Sequence, residues 1–334
     1  MFMYDPPVSI KSFQEHPNLL FSQAHILTEV EQVVNVIVHS YSLVRNAKAL
    51  EKDKLIFNDL FYQKLLWSLN RYLAVYQPHY IYSEHYNALL YASEQANIIG
   101  FIDGMLYRYP VDIYQVYKLV AYIAYYAKTV AFTRKAGDRY QRQKENYRRI
   151  SSFAQAMHQA YARLLVCRID LSYLHACQHL VSIETVMSHL QQLLAMMSGY
   201  TGLFKHLKGY IWAIEQGIDK GYHIHLLTYF DGREHQQDRY MADQIGQLWN
   251  TITGNASYFY NCNTDRAKQR YIAQETCGLG MIYRDDIKAC MNAMNVACYL
   301  AKLEKDDQYL RGKPQQYRAM GMSQLPYWIK HLRG

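Results

Sequence analysis

The sequence predicts an α+β protein in three parts. An all-helical N-terminal domain covers residues 1–157. A ferredoxin-like or RNA-recognition-motif-like domain with an antiparallel sheet covers residues 158–305, and a basic tail covers residues 306–334. Three observations predict this. Apolar residues recur at helical spacing up to about residue 155, with no strand-like run between them. The pattern changes at Ala162, where compact runs of strand length begin. From there the order is strand, helix, strand, strand, helix, strand, helix, the order of a ferredoxin-like unit.

Residues 1–20 contain prolines and read as an arm. Over residues 23–51, Ile26, Leu27, Val30, Val33, Val34, Ile37, Val38 and Tyr41 recur at helical spacing. A second helix over 55–75 stops before Pro78, and a third runs over 83–99. A fourth starts after Pro110 and continues to about 135, with Gly137 as its break, and a fifth covers 138–161. Residues 164–171 form the first strand. Residues 182–198 form a helix with Glu184 in its first turn and Gly199 after its end. Two strands follow, joined by a turn over 217–221; the first ends near Glu215 and the second begins at Tyr222. Residues 236–252 form a helix. Residues 254–274 are polar and Asn-rich and read as a long loop with a short strand at 258–260. Residues 278–283 form a strand, after which Asp285 or Asp286 caps a helix running to about 304. The tail, with Pro314 and Pro326, reads as mostly irregular.

A chain of 334 residues has room for about two domains. Half of its residues are hydrophobic, which predicts a packed core and not disorder. The formal net charge of +8 suits an anionic partner, nucleic acid first, and equally a soluble protein that is simply basic. The 33 tyrosines can stack on bases or fill helical cores. The six cysteines include no Cys-x-x-Cys pair, so a reduced, cytoplasmic compartment is expected. The start, Met-Phe-Met-Tyr-Asp-Pro-Pro, lacks a basic region followed by an apolar run, so no signal peptide is expected. The most apolar stretch, 119–132, is interrupted by Lys128 and is shorter than the roughly 20 residues a bilayer span needs, so no membrane partner is expected.

Three groups of residues bear chemistry. Strand side chains alternate faces, so His223 and His225 project from one side while Ile224 points into the core. Glu215, on the neighbouring strand, lies beside that pair. Two imidazoles and a carboxylate on one face form an open metal site, and the carboxylate is the hard ligand that Mg²⁺ or Mn²⁺ prefers. Glu215 also fits an edge-strand charge paired with Lys220 or Arg233. On the last helix Tyr299 and Lys302 share a face at i and i+3, so the ammonium can favour a phenolate or neutralise a phosphate. A packed ring with a solvated lysine fits the same spacing. The third group is the most basic local stretch: Arg134, Lys135, Arg139, Arg142, Lys144, Arg148 and Arg149, with Tyr140 and Tyr147 among them. It reads as a phosphate-tracking surface or as a solvated helix face. On the first strand, Arg168 is open between phosphate contact and core-edge packing, and Asp170 between a metal-shell group and a structural carboxylate.

Taken together, these residues resemble the superfamily of single-strand DNA nickases known by its His-hydrophobe-His motif, the HUH superfamily. From about residue 164 to 323 the chain resembles the filamentous-phage (inovirus) and prophage rolling-circle replication initiators, with a YagK/YfjJ-like C-terminal domain. The runs that carry the resemblance are Arg168-Ile-Asp-Leu171, Trp212-Ala-Ile-Glu215, Gly221-Tyr-His-Ile-His-Leu-Leu227, Gly246-Gln-Leu-Trp249, Gly278-Leu-Gly280 and Tyr299-Leu-Ala-Lys302. The resemblance implies a site-specific endonuclease and transesterase in which His223, His225 and Glu215 hold Mg²⁺ or Mn²⁺. Tyr299 would attack the scissile phosphate of single-stranded DNA at a replication origin, and Lys302 would assist. It also makes a host helicase a candidate partner. Some phage initiators carry two tyrosines on this helix; here Asn295 stands at the earlier position, which implies a single-tyrosine enzyme. Two other readings stay open: a non-catalytic prophage nucleic-acid-binding protein of the same fold, and a phosphodiesterase that uses water and forms no covalent intermediate.

Overall fold

The computed structural model describes residues 21–42, 57–102, 105–301 and 309–330. The chain divides into two compact units. The first takes Met1–Phe21, Val30–Ala74 and Glu84–Thr133; the second takes Ser22–Glu29, Val75–Ser83 and Arg134–Gly334. The first part of the chain holds helices α1 (Gln23–Ser42), α2 (Asp59–Val75), α3 (Glu84–Gln95), α4 (Ile113–Ala127) and α5 (Val130–Ala160). Leu65, Leu69 and Tyr72 of α2, Leu89 of α3 and Leu119 and Ile123 of α4 are fully buried, as their helical spacing predicts.

Helices dominate this part, but it also carries three short strands: β1 (Tyr80–Tyr82), β2 (Ile99–Ile102) and β3 (Met105–Arg108). β2 and β3 pair as an antiparallel hairpin flanking Asp103-Gly104, a dipeptide that favours tight hairpins. β1 finds its partner more than 200 residues away in sequence, which no local pattern announces. The break after α4 also differs from the expected one. Asp112 and Gln115 form a reciprocal capping box that starts α4, and Lys128 closes it by donating to Tyr125 and Tyr126 carbonyls. The Thr129 hydroxyl then accepts the Phe132 N–H at 3.4 Å and opens α5. Gly137 lies inside α5, where a Cβ would meet open space, so nothing there requires a break.

The remainder holds β4 (Arg163–Tyr173), α6 (Ile183–Ser198), β5 (Leu207–Gly217), β6 (Gly221–Asp231), α7 (Asp238–Ile252), β7 (Ser257–Asn261), α8 (Asp265–Ala273), β8 (Gly280–Tyr283) and α9 (Ile287–Cys298). A single 3₁₀ turn, Tyr299–Ala301, follows α9. Then come β9 (Gly312–Pro314), β10 (Met320–Met322) and α10 (Tyr327–Lys330). Two expectations are corrected. The Asn-rich stretch contains a helix, α8, because the Thr264 hydroxyl accepts the Ala267 N–H and caps it. The tail contributes strands: β9 pairs with β1 and β10 with β5.

The sheet runs β10-β5-β6-β4-β7, with β8 pairing the other half of β4, and every pairing is antiparallel. Its inner order, β5-β6-β4-β7, is that of a ferredoxin-like unit. Helices cover both faces. On one, the Trp249 ring of α7 meets Tyr173 at 5.7 Å and donates to the Ser172 carbonyl, while the Tyr173 hydroxyl lies 3.0 Å from His189 of α6. On the other, α5 and α9 close a core of Phe153, Met157, Leu164, Val166, Ile211, Leu227, Tyr229, Ala293 and Ala297. α9 lies close because residue 278 is glycine: a Cβ there would stand 2.4 Å from the Asn292 backbone. All six cysteines are free. Among the described residues no helix is long and apolar enough to cross a membrane.

Candidate metal centre

The face covered by α5 and α9 changes character along its length. On β4 it runs Leu164, Val166, Arg168, Asp170; on β6, Tyr229, Leu227, His225, His223; on β5, Ile211, Ala213, Glu215. One end is apolar and packed, the other polar. Register completes the grouping: Glu215 stands opposite His223, and Asp170 and Ala213 stand opposite His225 from either side. Glu215, His223 and His225 each offer a ligand atom within 4.8 Å of the others. They are 5%, 2% and 5% exposed, which sets them apart from a chance surface cluster.

The hydrogen bonds fix how the imidazoles face. The His223 Nδ1–H donates to the Gly221 carbonyl at 3.2 Å, and its Nε2 lies 3.5 Å from Glu215 Oε2. The His225 Nδ1–H donates to Asp170 Oδ1 at 2.6 Å, and its Nε2 lies 3.0 Å from the same Glu215 oxygen. Both Nδ1 atoms are held from behind and both Nε2 atoms turn toward one carboxylate. A divalent cation needs that donor set and that outer support, so the residues fit one. Glu215 therefore faces the histidines and not Lys220 or Arg233.

Burial opposes a proton on His225, but the hydrogen bonds to Asp170 and then Glu215 outweigh it and raise its pKa. Burial likewise opposes ionisation of Asp170, yet His225 and then Arg168 hold its pKa down to about 2. Arg168 donates from Nε to Asp170 Oδ1 at 3.2 Å. Its terminal nitrogen also comes within 3.3 Å of His225 Nδ1. Since that Nδ1–H is given to Asp170, this second approach brings two donors together and is a contact, not a hydrogen bond. The Arg168 backbone N–H is fixed by Asn263 Oδ1 at 2.8 Å, so the Asn-rich segment helps to position it.

Tyr299 caps the C-terminal end of α9. The Arg168 guanidinium carbon lies 5.1 Å from the centre of its ring, within cation–π range. The tyrosine thus stands on the same side of the sheet as the Glu-His-His cluster and is 37% exposed. Asn295, one turn earlier, is exposed. Lys302 lies outside the described residues. The basic run lies on α5: Arg142, Lys144, Arg148 and Arg149 are exposed, whereas Arg139 is half-buried with its guanidinium 4.4 Å from the Tyr309 ring centre. Sequence reasoning ranks Asp170 low and leaves Arg168 open; the alternation that puts both on one face of β4 is the available signal.

The fold and site define an α+β protein whose ferredoxin-like sheet carries a buried Glu-His-His cluster with the composition and geometry of a metal centre. The chain belongs to the YagK/YfjJ C-terminal domain family, a prophage-type family whose model matches residues 126–307, more than half of the chain. No curated protein and no solved structure matches it.

Proposed function

We propose that the protein is a metal-dependent single-strand DNA nickase and strand-transfer enzyme that initiates rolling-circle replication of a phage, prophage or plasmid. One contact supports this reading most: Arg168 touches the ring of an exposed tyrosine and also Asp170 and His225 of the metal cluster. A nucleophile and an electrophilic centre on one side of a sheet are what phosphoryl transfer to tyrosine requires.

A bound Mg²⁺ or Mn²⁺ supplies Lewis-acid polarisation of a phosphate oxygen. Glu215, His223 and His225 would hold it, and Asp170, accepting the His225 Nδ1–H, would keep His225 in the tautomer that binds. Exposed Arg142, Lys144, Arg148 and Arg149 track the DNA backbone. The Tyr299 oxygen attacks phosphorus; the P–O3′ bond breaks, and the 3′ oxygen leaves with a proton as the hydroxyl. The 5′ phosphate stays on Tyr299 as a phosphodiester, and the free 3′-OH can prime synthesis. Lys302, three residues on from Tyr299, stabilises charge during the attack.

The test uses a pool of labelled single strands with Mn²⁺ and a denaturing gel. Wild type forms a covalent adduct, Tyr299→Phe forms none, and His223→Ala loses nicking but still binds DNA. Cleavage without an adduct would replace the tyrosine mechanism with hydrolysis. Binding without cleavage would leave a non-catalytic DNA-binding protein.

A further inference from the structure

Beside the metal cluster lies a small cavity of ≈ 100 Å³ between α5, β5 and the turn that carries Tyr299. Its walls include the small side chains Ala213 and Ala301, with Glu215 and Tyr309. The Tyr309 ring is itself fixed, with the Arg139 guanidinium at 4.4 Å and that of Arg311 at 5.1 Å. Two carboxamides, Gln143 and Asn146, also line the cavity. They are three residues apart on α5 and so share a helix face. Gln143 Oε1 is buried and has no hydrogen-bond partner among the described residues. A buried polar atom left alone is unfavourable, and a ligand with a donor at that point would satisfy it.

We propose that this cavity takes one base of the DNA strand next to the scissile phosphate, and that Gln143, with Asn146, selects there a base whose exocyclic amine lies beside an acceptor ring nitrogen, adenine or cytosine. The inference rests on the nickase reading above. The exposed Arg142 immediately precedes Gln143, and the exposed Arg149 follows Asn146 by three residues. A strand whose phosphates run along these cations turns a base inward between them. A carboxamide presents one donor and one acceptor side by side, whichever way it is turned. Adenine and cytosine each offer the matching amine beside an acceptor ring nitrogen, whereas thymine has no exocyclic amine and the amine of guanine lies beside a ring N–H donor. Glu215 lines the cavity and belongs to the Glu-His-His cluster, so a base held here would lie next to a phosphate at that cluster, and reading it would also set the register of cleavage.

The test is binding selection from a random single-strand pool, in the full chain carrying Tyr299→Phe so that nothing is cleaved. One position is enriched for adenine and cytosine over thymine and guanine by about tenfold, the discrimination expected of one bidentate contact. Adding Gln143→Leu removes that enrichment and leaves preferences elsewhere intact. Adding Gln143→Glu, an acceptor only, moves the preference toward guanine, whose ring N–H and exocyclic amine present two donors side by side, a change that a purely structural role would not produce. A base preference insensitive to both substitutions overturns the cavity assignment and leaves the nickase reading standing. Retention of no single strand by any of the proteins overturns both.

Discussion

Asp170→Asn isolates one charge at the metal centre. Asparagine keeps the shape and an oxygen for the His225 Nδ1–H and the Arg168 Nε–H, which lie 2.6 Å and 3.2 Å from Asp170 Oδ1. What disappears is the carboxylate that raises the basicity of His225. Loss of such an outer partner weakens metal binding by about 10–100-fold, or roughly 1.4–2.7 kcal/mol. A second effect runs the other way. In the metal-free protein the His225 pKa is raised, so below it a cation must displace a proton from Nε2. Affinity then falls about tenfold for each pH unit below that pKa. Asp170→Asn removes part of this competition. The variant therefore binds Mn²⁺ more weakly than wild type at pH 8, and the gap narrows toward pH 6. Isothermal titration calorimetry in two buffers of different ionisation enthalpy measures both the affinity and the protons released. Equal affinities at pH 8, or proton-free binding by wild type at pH 6, would refute the hydrogen-bond account of the site.

Three further outcomes follow from the structure. His158 is buried against Tyr229, and burial pushes its pKa down to about 4. Because the folded value lies below the unfolded one of about 6.5, the unfolded chain binds more protons, and stability is lost as pH falls from about 6.5 toward 4, by up to about 3 kcal/mol; urea titrations should show His158→Phe with a flatter profile, and an unchanged profile would place the sensitivity elsewhere. Gly278→Ala forces a Cβ to 2.4 Å from the Asn292 backbone and so lifts α9, which carries Tyr299. Overpacking of this kind costs about 1–3 kcal/mol, so a lowered melting temperature and slower adduct formation are expected, while normal rates would show that α9 does not set the nucleophile. Replacing Arg142, Arg148 and Arg149 together with glutamine should weaken single-strand binding at low salt and flatten its salt dependence by up to about two log units per log unit of salt, roughly 0.7 for each phosphate no longer neutralised. An unchanged slope would return that face of α5 to mere solvation.

Features that depend on chain neighbours were legible. His223 and His225 could be put on one face from strand alternation alone, and Glu215 followed from the short turn between β5 and β6. α9 was legible for the same reason, as a helical repeat opened by an aspartate, which proved to be Asp286. What escaped was set by pairing across long sequence distances. Whether Asp170 serves the metal site or merely ends a strand turns on the register of β4 against β6, and a shift of one residue would put it on the other face. β1, β9 and β10 are three residues each and exist only because distant partners supply their hydrogen bonds. The break at Lys128–Thr129 was missed for another reason: a hydroxyl cap there starts a new helix, whereas a solvent-facing glycine at 137 only weakens one, by about 1 kcal/mol.

The polar end of the sheet explains why such a cluster survives in a buried place. Without a cation, Glu215 and Asp170 bring two negative charges, and Arg168 with a protonated His225 brings two positive ones, all within hydrogen-bond or contact range. The group is balanced and each charge has a partner, which is what a buried ion needs to be tolerated. A divalent cation that displaces the His225 proton leaves the same groups one unit positive. Under the proposed nickase reading, the centre would gain attraction for a phosphate only when it could also polarise one. Metal loading and capture of a strand beside Tyr299 and Arg168 would then be coupled by charge count alone, with no moving part.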